Sequence, residues 1–452
     1  MPIQSINPST GEMMAEFPLG TLENAVKVSK KLRESREWAR LDIAEKAKAV
    51  RKMSSGLLKG KREYAETMTK EMGKPIKQAV AEVEKCAWMC DYFADNAEQF
   101  TMPEEVKTDY KRSYIELDPL GVILGVMPWN FPYWQVLRFA VPALLVGNRI
   151  IVKHASNVPQ CALHLDNIFN AALPPLAYSN VFLSGSDAEK LIESDYIDGV
   201  SITGSTAAGA RVAAAAGRSI KKSVLELGGS DPFIVLKDAD VQAAATTAVK
   251  ARFQNTGQSC IASKRFIVEK SVARQFLEVF IDAVEAQKVG DPLDESTDIG
   301  PLARSDLRDD LHGIVERTKA MGAEIETGGF PMKGKGCFYS PTVISRITES
   351  MPIMKEEAFG PAAPVIIAAD AKEAIAIANR SEYGLAASLW TSDLDKAALL
   401  ARELETGMVS VNDMSKSDPR LPFGGVKKSG YGRELSRHCV REFANAKTVV
   451  MK

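Results

Sequence analysis

Cysteine is scarce in this chain. Six residues in 452, at Cys86, Cys90, Cys161, Cys260, Cys337 and Cys439, are too few and too scattered for a disulfide framework, and a reducing cytoplasm is the expected setting. Charge of one sign is lacking as well: 57 basic against 58 acidic side chains leave a net charge of −1, which removes the bulk electrostatic case for nucleic acid or an anionic membrane as partner. The four histidines, His154, His164, His312 and His438, show no H-E-x-x-H or other ligand spacing, so no metal site is expected. Long apolar runs are missing. The one uncharged stretch, Pro119 to Leu137, is interrupted by Gly121, Gly125, Pro128 and Pro132 and carries Asn130 and Gln135, so it reads as a buried strand running into a loop, not as a membrane span. The opening residues have neither the basic nor the apolar region of a secretion signal.

What remains is ordinary globular material, 45% hydrophobic and 25% charged, with the length of an enzyme of two or three domains at about 150 residues each. From Leu22 to about Phe100, apolar residues recur at helical spacing around the breaker Gly73-Lys74-Pro75 and predict a set of surface helices. Residues 109–118 alternate like an exposed strand. Short apolar runs at 121–127, 149–153, 180–183 and 199–203 then enclose helix-compatible stretches at 158–172 and 186–194, the pattern of a parallel sheet with crossovers. The alternation restarts after Glu226, with strands expected at 230–236, 265–270 and 408–412 and helices at 239–252 and 271–286, so a second α/β unit follows the first. The tail ends in a β-prone run that is expected to pair with 109–118 or with another subunit.

Four strings could carry chemistry. Cys260 ends Gln254-Asn255-Thr256-Gly257-Gln258-Ser259-Cys260, where an Ala-rich helix gives way to polar residues; it is either a nucleophile on a loop facing a cleft or a buried inert thiol. Glu226, in Leu225-Glu226-Leu227-Gly228-Gly229, is either a carboxyl of raised pKa able to act as a base or one satisfied by backbone amides. Asn130 lies between two aromatics and two prolines in Pro128-Trp129-Asn130-Phe131-Pro132, a rigid loop that can hold an oxyanion donor. Thr203-Gly204-Ser205-Thr206 follows a predicted strand and opens a predicted helix, a position suited to phosphate. Its glycine spacing matches neither G-x-G-x-x-G nor a P-loop.

Together with Glu357-Ala358-Phe359-Gly360-Pro361 and Pro422-Phe423-Gly424-Gly425, these strings appear in an order that closely resembles the NAD(P)-dependent aldehyde dehydrogenase superfamily over nearly the whole chain. Within it, Lys153-His154-Ala155-Ser156-Asn157 and Lys416-Ser417-Asp418-Pro419-Arg420-Leu421-Pro422 look most like bacterial succinate-semialdehyde dehydrogenases. The resemblance implies two Rossmann-like parallel-sheet units with a small β arm for assembly: residues 1–105 and 119–228 for the cofactor, 229–430 for catalysis, 106–118 and 431–452 for the arm. It implies Cys260 as nucleophile, Asn130 with the Cys260 amide as oxyanion hole, and Glu226 as the base that hydrolyses a thioester. For the cofactor it implies Lys153 and Ser156 at the adenosine ribose, Gly204 and Ser205 at the pyrophosphate, Trp129 and Leu227 as pocket walls, and Glu357 with Phe359 at the nicotinamide ribose.

Ser156 stands where many NAD-using relatives carry a glutamate. Its side chain cannot repel a 2′-phosphate, so NADP is expected to be favoured over NAD. A short anionic aldehyde such as succinate semialdehyde is the expected substrate, held at its carboxylate by Arg138 and Ser417 with Trp134 and Ser259 alongside; the competing reading pairs Arg138 with a carboxylate or carbonyl between domains. A CoA-acylating relative is disfavoured by Glu226, and a silent binding protein by the intact Cys260, Glu226 and Asn130 set. The exposed edges at 109–118 and 443–452 imply a homodimer or homotetramer.

Overall fold

The apolar runs become strands because each is flanked by helices that cover both faces of its sheet. In the computed structural model, which describes residues 2–452, Val122–Met127 pairs in parallel with Arg149–His154 on one side and Gly199–Thr203 on the other. Tyr178–Asn180 and Lys222–Glu226 extend this sheet outward, and Gly430–Tyr431 closes its edge antiparallel to Lys222–Glu226. The chain runs from Val122–Met127 to its neighbours in one direction, then returns through Gly199–Thr203 in the other. That reversal opens a crevice at the carboxyl ends of the two central strands, the usual place for a ligand in an open α/β sheet.

A second sheet of seven strands has the order Glu324–Thr327, Thr342–Ser345, Ala362–Ala368, Ser263–Glu269, Asp231–Val235, Ala386–Trp390, Met408–Val411, all parallel except for its first pair. The third sheet is antiparallel, with Arg112–Pro119 between Glu104–Glu105 and Ala444–Met451. Of the two pairings open to the tail, the one with the strand after residue 109 is therefore made within the chain.

Three local expectations need correction. The strand expected at 180–183 is Tyr178–Asn180, because past Asn180 the backbone turns toward Ser184, whose hydroxyl caps the helix Gly185–Glu193. The strand expected from residue 109 begins at Arg112, since Thr108 Oγ1 accepts from the Tyr110 amide and holds a turn there. The helices between 22 and 101 are not all superficial: Ile76–Asp95 buries Val83, Cys86, Cys90 and Phe93 against the rest of the first unit. It packs on Trp134–Val146, a helix buried on every side, which the Pro119–Leu137 run enters after its strand and loop. No helix among the described residues is long and apolar enough to cross a membrane.

The residues from 430 onward are not confined to the third sheet. Phe423 and Glu434 exchange backbone hydrogen bonds of 2.7 Å, which folds the Gly424-Gly425 loop back over the end of Lys222–Glu226.

Candidate active site

The site is assembled at the seam between the two parallel sheets. From the first sheet comes the loop after Val122–Met127, which carries Asn130; from the second comes the turn between the helix Val241–Phe253 and the strand Ser263–Glu269, which carries Cys260. That turn is unusually constrained. Asn255 and Thr256 both have left-handed backbones, with φ of 53° and 56°, costly for a β-branched residue and sustained only by surrounding contacts. Gly257 follows at φ 74°, and a Cβ there would lie 2.4 Å from the Gly360 carbonyl oxygen. Fully buried Arg252 ties the helix end to the carbonyls of Ala358, Gly360 and Ala362.

Side chains complete the latch. Asn255 Nδ2 donates to the Asn130 carbonyl at 2.9 Å, and Asn130 Nδ2 donates to the Gln258 carbonyl at 3.0 Å. Gln135 Nε2 donates to Asn130 Oδ1 at 3.1 Å, which fixes which end of the amide faces the thiol loop. The Asn130 loop is held from behind by Glu82, whose Oε1 accepts from the amides of Tyr133 and Trp134 while Oε2 is ion-paired with buried Lys74. Neither Gln135 nor the Lys74–Glu82 pair stood out in the sequence; the motif spacing predicted the loop but not what braces it.

Cys260 is half-buried and lines two cavities at once. One, of about 380 Å³, includes Trp129, Asn130, Gly204, Ser205, Leu227, Glu357 and Phe359. The other, of about 240 Å³, includes Trp134, Arg138, Ser259, Ser417 and Lys85. Burial pushes the Cys260 thiol up to about 12, against the opposing pull of Arg138 and Lys264, which favours its protonated form. Lys264 Nζ donates to the carbonyls of Ser259 and Cys260 at 2.8 and 2.7 Å and reaches Glu357 at 3.2 Å. It joins the nucleophile loop to a residue expected at the cofactor.

Glu226 lies at the end of its strand as predicted, buried, with neither carboxyl oxygen hydrogen-bonded. The alternative of a carboxylate satisfied by backbone amides is not what is found. Burial first, and the nearby Glu434 second, hold its pKa well above the usual carboxylate range, which suits a group that must take a proton from water near neutrality. Gly424 is required beside it: φ is +149°, and a Cβ would sit 2.6 Å from Glu226 Oε1.

The cofactor-side residues fall into two connected regions. Lys153 and Ser156 line a third cavity with Ser184 and Arg304, and Arg304 also borders the cavity of Cys260. Ser205 caps the helix Thr206–Arg218, its Oγ accepting from the Ala208 amide at 3.3 Å, which leaves the first-turn amides directed at the crevice. Trp129 and Phe359 meet edge to face at 5.8 Å. Glu357 accepts from the Gly229 amide at 3.1 Å, and a Cβ on Gly228 would be 2.5 Å from its other oxygen.

Arg138 reaches the smaller cavity, but its charge is already matched. Its Nε lies 2.6 Å from Glu434 Oε2, both side chains being 2% exposed, and its guanidinium stacks 4.4 Å from the Phe423 ring. The pairing with a carboxylate, held open in the sequence, is the arrangement observed. Glu434 lay outside every recognisable string.

The sequence profile of the Aldehyde dehydrogenase family matches residues 1–449. The chain belongs to that family. It is 48% identical to a "Probable succinate-semialdehyde dehydrogenase [NADP(+)]" of Synechocystis, over 99% of each chain. It is 45% identical to the "Succinate semialdehyde dehydrogenase [NAD(P)+] Sad" of Escherichia coli, over 98% of this chain and 97% of the relative. Among solved structures it superimposes on a succinic semialdehyde dehydrogenase from Streptococcus pyogenes in complex with NADP+ with a TM-score of 0.97, at 36% identity and over 99% of both chains. As a member of this family the enzyme is an oxidoreductase acting on aldehydes, with two parallel-sheet units as expected.

The Arg138–Glu434 pair makes a stability prediction. Removing one partner leaves the other charge buried beside Glu226, so Arg138→Ala should lower unfolding free energy by about 3–5 kcal/mol. Urea denaturation checks this, and a loss under about 1 kcal/mol would mean that the pair is not structural.

Proposed function

We propose that this aldehyde dehydrogenase oxidises succinate semialdehyde to succinate with NADP as the preferred acceptor. The observation that carries the reading is the position of Cys260 between two cavities, one lined by candidate cofactor residues and the other small, aromatic-walled and rich in cationic groups.

The residues present fit a dinucleotide. Lys153 forms no ion pair among the described residues, and burial lowers its pKa, so binding an anion would relieve an unfavourable state. Lys153 and Ser156 would hold the adenosine ribose and its 2′-phosphate, and the amides after Gly204 and Ser205 the pyrophosphate. Trp129, Leu227, Phe359 and Glu357 would enclose the nicotinamide and its ribose. When bound, the nucleotide supplies the hydride acceptor.

The chain's own residues do the rest. Cys260 Sγ, having given its proton to solvent through the open cavity, adds to the aldehyde carbon, and the resulting oxyanion is received by Asn130 Nδ2 and the Cys260 amide. Once the hydride has left, a thioester on Cys260 remains. Glu226 takes a proton from water, the hydroxide adds to the thioester, and carboxylic acid and thiol separate. The unpartnered carboxyl of Glu226 favours this hydrolysis over transfer to CoA, which needs no such group; product formation without added CoA is the test. Because both Cys260 and Glu226 have raised pKa values, their deprotonated, reactive forms gain population as pH rises.

We assign nucleotide binding to 1–105 and 119–228, catalysis to 229–430 and assembly to 106–118 with 431–452. The edge strand Ala444–Met451 leaves Val450 and Met451 exposed, which supports a homodimer or homotetramer. Six free cysteines support a reducing cytoplasmic location.

Three outcomes are expected. Cys260→Ala abolishes turnover, whereas Glu226→Gln retains a pre-steady-state burst of reduced cofactor and loses steady-state rate; loss of the burst with a normal steady state would remove Glu226 from this role. Ser156→Glu raises KM for NADP more than for NAD, by about 1–3 kcal/mol in binding, and equal changes would mean that Ser156 does not face the ribose. Light scattering at micromolar concentration should give a multiple of the chain mass.

A further inference from the structure

Five charged residues border the cavity on the substrate side of Cys260: Lys77, Glu82, Lys85, Arg138 and Lys416. Four have their charges matched. Lys77 pairs with Asp298 at 2.6 Å, Lys416 with Asp413 at 2.8 Å, Arg138 with Glu434 at 2.6 Å, and Glu82 with Lys74. Lys85 is the exception, and among the described residues no carboxylate oxygen lies within 4.0 Å of its ammonium. Asp418, the carboxylate that acts on it from the following loop, is itself held by Arg420 at 2.7 Å. The net charge of this chamber is therefore the single positive charge of Lys85.

Its position is equally specific. Lys85 projects from the helix Ile76–Asp95, with Nζ 2.8 Å from Ser417 Oγ and 4.4 Å from the centre of the Trp134 ring. It lines both the chamber of Cys260 and the wider outer cavity beyond, so it stands at the junction between them. A thiol at one end and an ammonium with a hydroxyl at the other match a short aldehyde that carries a carboxylate on its far carbon. A half-buried ammonium with one hydroxyl partner and an aromatic face still has N–H groups to give.

We infer that Lys85, with Ser417, receives the distal carboxylate of the substrate and is the residue that selects a semialdehyde over an uncharged aldehyde. The inference rests on the substrate reading above and moves the main ionic contact from Arg138, which Glu434 neutralises, to Lys85. A pH signature accompanies it. Burial, and then the neighbouring charge of Arg138, bring the Lys85 pKa down to about 8, opposed by the Cys86 thiol, Asp418 and Glu82; the paired Lys77 and Lys416 stand on the same walls. The carboxylate of succinate semialdehyde stays ionised throughout this range, so capture of the substrate weakens as pH rises through about 8 and Lys85 loses its proton.

Steady-state kinetics with succinate semialdehyde and with butanal, at saturating NADP, test this on the whole enzyme. Near pH 7, Lys85→Met should cut the ratio of kcat/KM for succinate semialdehyde to that for butanal by about 30-fold or more, mostly in KM, and Lys85→Arg should restore most of it. In the wild type, KM for succinate semialdehyde should climb above pH 8 while that for butanal does not, and Lys85→Met should abolish the climb. Inhibition of the wild type by succinate should weaken over the same range, a measurement that needs no variant. If the wild type prefers the semialdehyde but Lys85→Met leaves the ratio and the pH profile intact, Lys85 is not the selecting residue and the substrate reading stands. A wild type that shows no preference for the charged aldehyde overturns the substrate reading and this inference together.

Discussion

The exchange of hydrogen bonds between the Asn130 loop and the Asn255–Gln258 turn is the constraint on which the rest of the site depends. Each parallel sheet supplies only half of the chemistry: the first an amide donor and a carboxyl, the second a thiol. Nothing apolar could register these halves to the accuracy that covalent catalysis needs, because hydrophobic burial is non-directional. Two directional contacts, Asn255 Nδ2 to the Asn130 carbonyl and Asn130 Nδ2 to the Gln258 carbonyl, do it instead. They also account for the left-handed backbone at Asn255 and Thr256: local strain is accepted so that the thiol faces the donor.

Around that latch, one buried carboxyl group has neither oxygen hydrogen-bonded. A buried carboxyl without a hydrogen bond ordinarily costs stability, and Glu226 carries that cost with both oxygens free. Glu434, equally buried, avoids it by pairing with Arg138. The contrast separates a group kept available from one kept quiet. It also explains why Arg138 can border the smaller cavity without adding net charge to it, a distinction visible only when partners are counted.

Much of this was legible in the residues. The strand–helix alternation, the carboxyl-end position of Asn130, Ser205 and Glu226, and the loop bearing Cys260 follow from periodicity and from Gly and Pro punctuation, which act over a few residues. Chain-distant pairing was not legible. Arg138 and Glu434 are joined across almost 300 positions by tertiary packing alone, and Lys85 lies mid-helix in a run of Lys and Glu that reads as a solvated face. The strand placed at 180–183 failed for a smaller reason: apolar content suggested a longer run, but the cap at Ser184 had already begun to turn the chain. The reading of Ser156 rests on an absent charge and so needs no partner in the sequence to be made.

The upward pull of burial on the Cys260 thiol bears on oxidation as well as on catalysis. Peroxide and disulfide exchange both act on thiolates and spare thiols. Burial favours the protonated form of Cys260, which is the less oxidisable of the two. Of the other five thiols, Cys86, Cys90, Cys161 and Cys439 are buried and Cys337 is half-buried. Four of the six sulfurs are thus withheld from the surroundings by the fold itself, and the two that remain accessible are Cys260 and Cys337.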